Sequence, residues 1–258
     1  MLRNQTMKKK LSAVLFILTF SAGVSLAGLS VSPARSEIVM ENGNVYNGSY
    51  TIENDNDAAI DVTISAQNWN NSPENAGVGV NEWLDVAVKS VTLQPHQKTD
   101  IKYTAKSLNY KGSLSAMVSF SFASPDIRGV NLMTSVPVYM TISGTERIEF
   151  EIENIAVENP KMYKEEGIAA LYTVKNSGNV PLRLSGALKI LKGKKTLYEQ
   201  IIGEQSPVYA GADRTFIEKF PPLKKGKYIL NISLSALERT AEKSIQIRFN
   251  KYGEAVSQ

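Results

Sequence analysis

The sequence contains no cysteine and a single histidine, His96, among its 258 residues. The first absence rules out disulfide staples and a lipid-modified cysteine, so the fold must be held by its hydrophobic core alone, which a chain of this length can build. Together the two absences remove a zinc cage and a Cys-His nucleophile, and any Ser-His-Asp triad would rest on one residue. That residue lies in Gln94-Pro95-His96-Gln97, which reads as a polar turn between Leu93 and Ile101. No glycine-rich phosphate loop is present. Asp55, Asp57 and Asp61 invite a calcium reading, but the glycine and the final acid of an EF-hand-type loop are missing, and a turn between strands is preferred. The chain is therefore expected to be no enzyme, with no cofactor and no metal.

Net charge is scarce as well. The formal value is +4, and Arg3, Lys8, Lys9 and Lys10 supply it from the first 27 residues, which hold no acid. What remains is neutral, so no overall field argues for a nucleic-acid partner. The basic start has its own explanation. Lys8-Lys9-Lys10, an apolar run over 11–20 and Ser25-Leu26-Ala27 form a secretory signal peptide over 1–27, cleaved after Ala27. The run is short and interrupted for an anchor, and no later stretch suits a bilayer. The expected mature chain is exported and free of stable membrane insertion, in the periplasm of a bacterial envelope or else at the cell surface or secreted.

Sustained helical periods are also lacking. Apolar residues instead recur at every second position, which places them on one face of a β-strand. Examples are Ile60, Val62, Ile64; Leu114, Ala116, Val118, Phe120; Val136, Val138, Met140, Ile142; Ile168, Ala170, Tyr172, Val174; and Tyr228, Leu230, Ile232, Leu234. Asn, Asp and Gly clusters such as Asn54-Asp55-Asn56-Asp57 and Asn176-Ser177-Gly178-Asn179 separate the runs and accept the positive φ of tight turns. The fold class is all-β: two tandem immunoglobulin-like β-sandwiches after a signal peptide. The alternation breaks at Ser143-Gly144-Thr145-Glu146, so the domains are expected at 28–143 and 146–250, with a disordered tail at 251–258. An internal repeat supports the division, since Tyr50-Thr51-Ile52-Glu53-Asn54 aligns with Tyr172-Thr173-Val174-Lys175-Asn176. Trp69 and Trp83 flank the longest irregular stretch. They read as caps on the end of a sandwich core, with a sugar-stacking platform as the alternative.

Leu29-Ser30-Val31-Ser32-Pro33-Ala34-Arg35, the Asn-ended strand at 50–54, Trp83 with Val91-Thr92-Leu93-Gln94-Pro95, and Val136-Pro137-Val138-Tyr139 resemble the amino-terminal domain of periplasmic pilus- and fimbria-assembly chaperones. The resemblance implies a chaperone that lends a β-strand to an incomplete pilin-like subunit or another envelope protein. The lending strand would be 136–142, with Val136, Val138, Met140 and Ile142 entering the client's groove. Arg35 matches one of the two basic residues with which the family holds the client's carboxylate, and Ser135 stands where the other is expected. The second half, through Val174-Lys175-Asn176-Ser177-Gly178-Asn179 and Pro221-Pro222-Leu223-Lys224-Lys225-Gly226, is more similar to immunoglobulin-like modules of bacterial surface proteins. That likeness keeps open a structural or adhesive surface module binding an envelope protein or glycan, with Val138 and Met140 in the core and the partner on the loop at 69–82.

Overall fold

The computed structural model describes residues 24–26, 28–159, 167–203 and 207–256. The expected leader lies outside these residues except for Val24–Leu26. Apart from single helical turns at Pro73–Asn75 and Val80–Trp83, the regular structure of the described residues is strand, arranged as two sandwiches with separate apolar cores.

In the first sandwich the strands are β1 (Val24–Leu26), β2 (Leu29–Ser32), β3 (Ser36–Met40), β4 (Val45–Asn54), β5 (Ile60–Asn68), β6 (Leu84–Val86), β7 (Ser90–Leu93), β8 (Lys98–Lys106), β9 (Ser113–Ala123) and β10 (Asn131–Ile142). One sheet runs β1-β2-β4-β8-β6 and the other β3-β10-β9-β5-β7. The first long strand is thus split: β2 pairs with β4, the chain turns over Pro33 to Arg35, and β3 joins the opposite sheet parallel to β10. Proline and the residue before it cannot continue a regular ladder, which suits the break. Ser36, at the start of β3, is buried and accepts a hydrogen bond from the Tyr103 hydroxyl at 3.0 Å. Burial lifts the Tyr103 phenol to about 12, so the link stays neutral and pins β3 across the sandwich.

The second sandwich contains β11 (Phe150–Glu158), β12 (Ile168–Asn176), β13 (Ser185–Lys192), β14 (Lys195–Gly203), β15 (Asp213–Phe220), β16 (Gly226–Ala236), β17 (Arg239–Phe249) and β18 (Ala255–Val256). A three-stranded sheet β11-β12-β15 packs on a five-stranded sheet β14-β13-β16-β17-β18. The tail differs from its expected disorder: residues 251–256 turn back, β18 pairs with β17, and the Asn159 side chain bonds both backbone groups of Ala255 at 2.8 Å. A two-residue strand is too short to leave an alternation in the sequence.

The repeated Tyr-to-Asn strand has a structural cause. Asn54 and Asn176 end equivalent strands and are both buried. The Asn54 amide donates to the carbonyls of Ala58, Leu93 and Gln94, and its oxygen accepts from the Asn56 backbone N–H at 3.0 Å. Asn176 donates to the carbonyls of Val180 at 2.8 Å and Val208 at 2.9 Å and accepts from the Gly178 N–H. Each amide satisfies carbonyls that the turn would otherwise bury unpaired. Asn54→Ala and Asn176→Ala are each expected to destabilise their own sandwich by about 2–3 kcal/mol, read as a lowered urea midpoint; an unchanged midpoint would remove this role.

Candidate functional site

Strand β10 has two unlike halves. Along its whole length it pairs antiparallel with β9, but on the other side β3 reaches it only from Val138 to Ile142. Among the described residues no strand covers that side of 131–137. This free edge reads Asn-Leu-Met-Thr-Ser-Val-Pro and contains no charged side chain. Sheet edges are ordinarily protected by lysine, bulges, extreme shortness or a covering element, and seven uncharged residues have none of these until Pro137. Apolar groups gather at its start: Met133 is 63% exposed and Ile127, in the preceding loop, 59%.

The side chains expected to enter a client lie elsewhere. Val136, Val138, Met140 and Ile142 are fully buried in the core of their own sandwich. The backbone edge at 138–142 is also occupied by β3. The alternation that made this strand conspicuous is the inward face of an ordinary core strand, and the edge on offer is displaced towards the amino end of the same strand. Only Val136 and Pro137 belong to both segments.

Arg35 stands where the chain enters β3, and its Nε lies 3.1 Å from Oε1 of Glu37. The same carboxylate oxygen accepts from Arg183 of the second sandwich, at 2.9 Å from Nη2 and 3.1 Å from Nε. Glu37 therefore lies between two guanidinium groups, one from each domain. Ser135 adds no cation; its hydroxyl pairs with that of Ser119 at 2.8 Å. Arg183 also covers the face of Tyr139, 5.6 Å from the ring centre. The Tyr139 hydroxyl meets that of Tyr209 at 3.2 Å, which in turn accepts from the Trp69 indole N–H at 2.9 Å. Burial, with the Tyr209 hydroxyl beside it, pushes the Tyr139 phenol well above its ordinary range, so it stays neutral. Glu37, Val39, Tyr139, Arg183 and Leu237 border a cleft of about 240 Å³ between the sandwiches. Arg183 had no signal in the sequence, because its role depends on how two domains meet.

A second junction lies on the other side of the linker. Asn179, almost fully buried, donates to Glu74 at 2.8 Å and to the Thr145 carbonyl at 3.0 Å, while its oxygen accepts from the Arg147 N–H at 2.7 Å. Arg147 reaches the other oxygen of Glu74 at 3.3 Å. Gly112, at φ +66°, lets the Asn179 carbonyl approach; a Cβ there would overlap it. Glu74 belongs to the irregular stretch at 69–82, so that loop is occupied within the molecule rather than presented whole to a partner. Trp83 is core, whereas Trp69 stays 37% exposed and is tied at its indole N–H across the junction, so it does not cap the core as expected.

The remaining polar candidates are dispersed. His96 occupies an exposed turn at φ +57° and lies 3.1 Å from Asp57. Asp55 accepts from Ser30 at 2.6 Å and Asp61 from Thr92 at 2.6 Å. The three carboxylates thus serve three separate turn and strand contacts.

No family model and no curated protein matches this chain. Solved structures of similar fold include fimbrial chaperones. The class 5 fimbriae chaperone CfaA has a TM-score of 0.48 and 16% identity, covering 84% of this chain and 98% of its own. The CsuC–CsuE chaperone–tip adhesion subunit complex, from Csu pili of Acinetobacter baumannii, gives 0.45 and 14%, with 85% and 98% covered. The E. coli chaperone DraB gives 0.43 and 11%, with 84% and 96% covered. These are likenesses of fold alone.

The Glu74 latch has a pH dependence of definite sign. Donation from Asn179, helped by Arg147, holds the Glu74 carboxyl below its usual range. A depressed carboxylate contributes above its unfolded pKa, and the contribution is lost as pH falls through the folded one. The domain junction is therefore expected to hold at neutral pH and to loosen only below about pH 4. Glu74→Ala is expected to give the loosened state already at pH 7, measured as a changed interdomain distance by small-angle scattering. An unchanged scattering profile would contradict the latch.

Proposed function

We propose that the protein is a non-enzymatic, exported assembly chaperone that offers the edge of β10 at 131–137 to an extended strand of a pilin-like or other surface subunit. The observation that carries this reading is the uncharged, uncovered edge itself. An incomplete sandwich exposes unpaired backbone groups and an apolar groove, and edge-to-edge pairing satisfies the first while side chains such as Met133 reach the second. Val138, Met140 and Ile142 take a supporting part, holding the carboxyl half of the strand in the core so that the other half projects at a fixed angle. Arg35 and Arg183 form the carboxylate site, with Arg183 standing in for the cation absent at Ser135. Glu37 fills that site when no client is present and moves aside when a client's terminal carboxylate arrives.

A structural or adhesive surface module is the second reading, favoured by the burial of Val138 and Met140. Against it, the loop at 69–82 that would carry its partner is engaged at the domain junction.

The two readings separate in a capture experiment on an envelope extract. Wild-type protein is expected to retain a subunit with an incomplete sandwich. Met133→Lys with Ser135→Lys, which places two cations on the free edge, is expected to reduce retention at least tenfold, since charge at an edge opposes pairing. Ile201→Lys, on β14 of the other domain, is expected to change nothing. Retention by the β10 variant equal to wild type would sink the strand-lending mechanism.

A further inference from the structure

Charge cancels over the mature chain, but the two sandwiches do not share it equally. Residues 28–143 hold seven basic and eleven acidic side chains, and residues 146–250 seventeen and thirteen. Strand register gathers much of the second domain's surplus at one end. Lys192 lies opposite Lys195 across the turn from β13 to β14, with Lys194 between them. Leu191 is level with Ile229, so this turn lies beside the start of β16, where Lys224 and Lys225 lead in. Lys227 faces Arg248 of β17, and Lys251 follows three residues later. All of these cations are exposed.

Few acids offset them. Glu158 ends β11 nearby, and Glu254 accepts from the Asn250 amide at 3.0 Å. The undescribed stretch 160–166 has two lysines and two glutamates by sequence and adds no net charge. This end lies away from the first sandwich. Ala236, at the far end of β16, borders the interdomain cleft, and the eleven residues of that strand span roughly 33 Å. Apolar groups accompany the cations: Tyr252 is 73% exposed with Lys251 4.8 Å from its ring centre, and Val256 is 44% exposed.

We propose that this basic end of the second domain docks on the headgroups of an anionic phospholipid membrane. Cations projecting from neighbouring turns at one end of a rigid sandwich meet a plane together, and each strengthens binding roughly fivefold near an anionic surface. Tyrosine beside lysine suits the headgroup level, where its ring and hydroxyl are both accommodated. A soluble polyanion would make no use of Tyr252 and Val256. The acidic first sandwich is repelled by the same surface and faces away from it. This docking stands whether or not β10 receives a client.

The test is sedimentation of the protein, purified after export, with phosphatidylcholine vesicles containing or lacking phosphatidylglycerol. Binding is expected only to the anionic vesicles and is expected to be lost at high salt, where screening shortens the reach of each charge. Lys194→Glu with Lys225→Glu and Lys227→Glu is expected to weaken it at least tenfold. Lys102→Glu with Lys106→Glu, on β8 of the first domain, is expected to leave it unchanged. A second variant, Lys251→Glu with Tyr252→Ser, is expected to weaken binding too and keeps the test decisive should the triple variant misfold. Equal partition onto neutral vesicles, full binding by the basic-end variants, or capture on heparin without binding to either vesicle would each overturn the proposal.

Discussion

The change of sheet between Ser32 and Ser36 sets how much of β10 is covered. A strand that stayed with β4 would leave the whole of β10 open, and one that crossed earlier would seal it. Crossing over Pro33 to Arg35 and anchoring through buried Ser36 brings β3 to β10 at Val138 and no sooner. Over the carboxyl half, Val138, Met140 and Ile142 are buried in the core and β3 occupies the backbone edge. Exposure of the amino half leaves a backbone able to accept another strand. The same turn delivers Arg35 to the domain boundary, so the free edge and the Arg35–Glu37–Arg183 cluster share one local cause.

The boundary is built to hold an angle. On one side Glu37 is gripped by guanidiniums from both domains, and Tyr139, Tyr209 and Trp69 form a neutral hydrogen-bonded row. On the other, Asn179 joins the second domain to the linker and to Glu74. Exposed ion pairs alone contribute little, because solvent screens them. Here each is tied to a buried amide or a packed ring. The basic far end of the second sandwich and the free edge of the first are consequently fixed relative to each other.

The fold was legible wherever a strand buries one face. Ile60 to Ile64 alternate because β5 lies between a core and solvent, and Leu114 to Phe122 and Tyr228 to Leu234 keep the same inward period although Ser115, Ser119 and Asn231 between them are buried as well. The Tyr-to-Asn repeat was legible too, since both domains need a buried amide at the same turn. Edge elements were harder to read: β14 and β15 have exposed Ile201 and Ile217 and mix charge with apolar residues. The site was legible only in part. Arg35 could be found from its neighbours in sequence, whereas Glu37 and Arg183 are 146 residues apart and meet only through tertiary structure. The cleanest alternation, at 136–142, marked burial rather than availability. Charge misled for a similar reason, because a total near zero conceals segregation that strand register reveals.

Hydrogen exchange along β10 tests the central claim most directly. In the protein without a client, the edge-facing amides within 131–137 are expected to exchange rapidly while those within 138–142, shielded by both β3 and β9, exchange slowly. Slow exchange at every amide from 131 to 142 would mean that the edge is closed, and the account of a strand held ready for a partner would be contradicted.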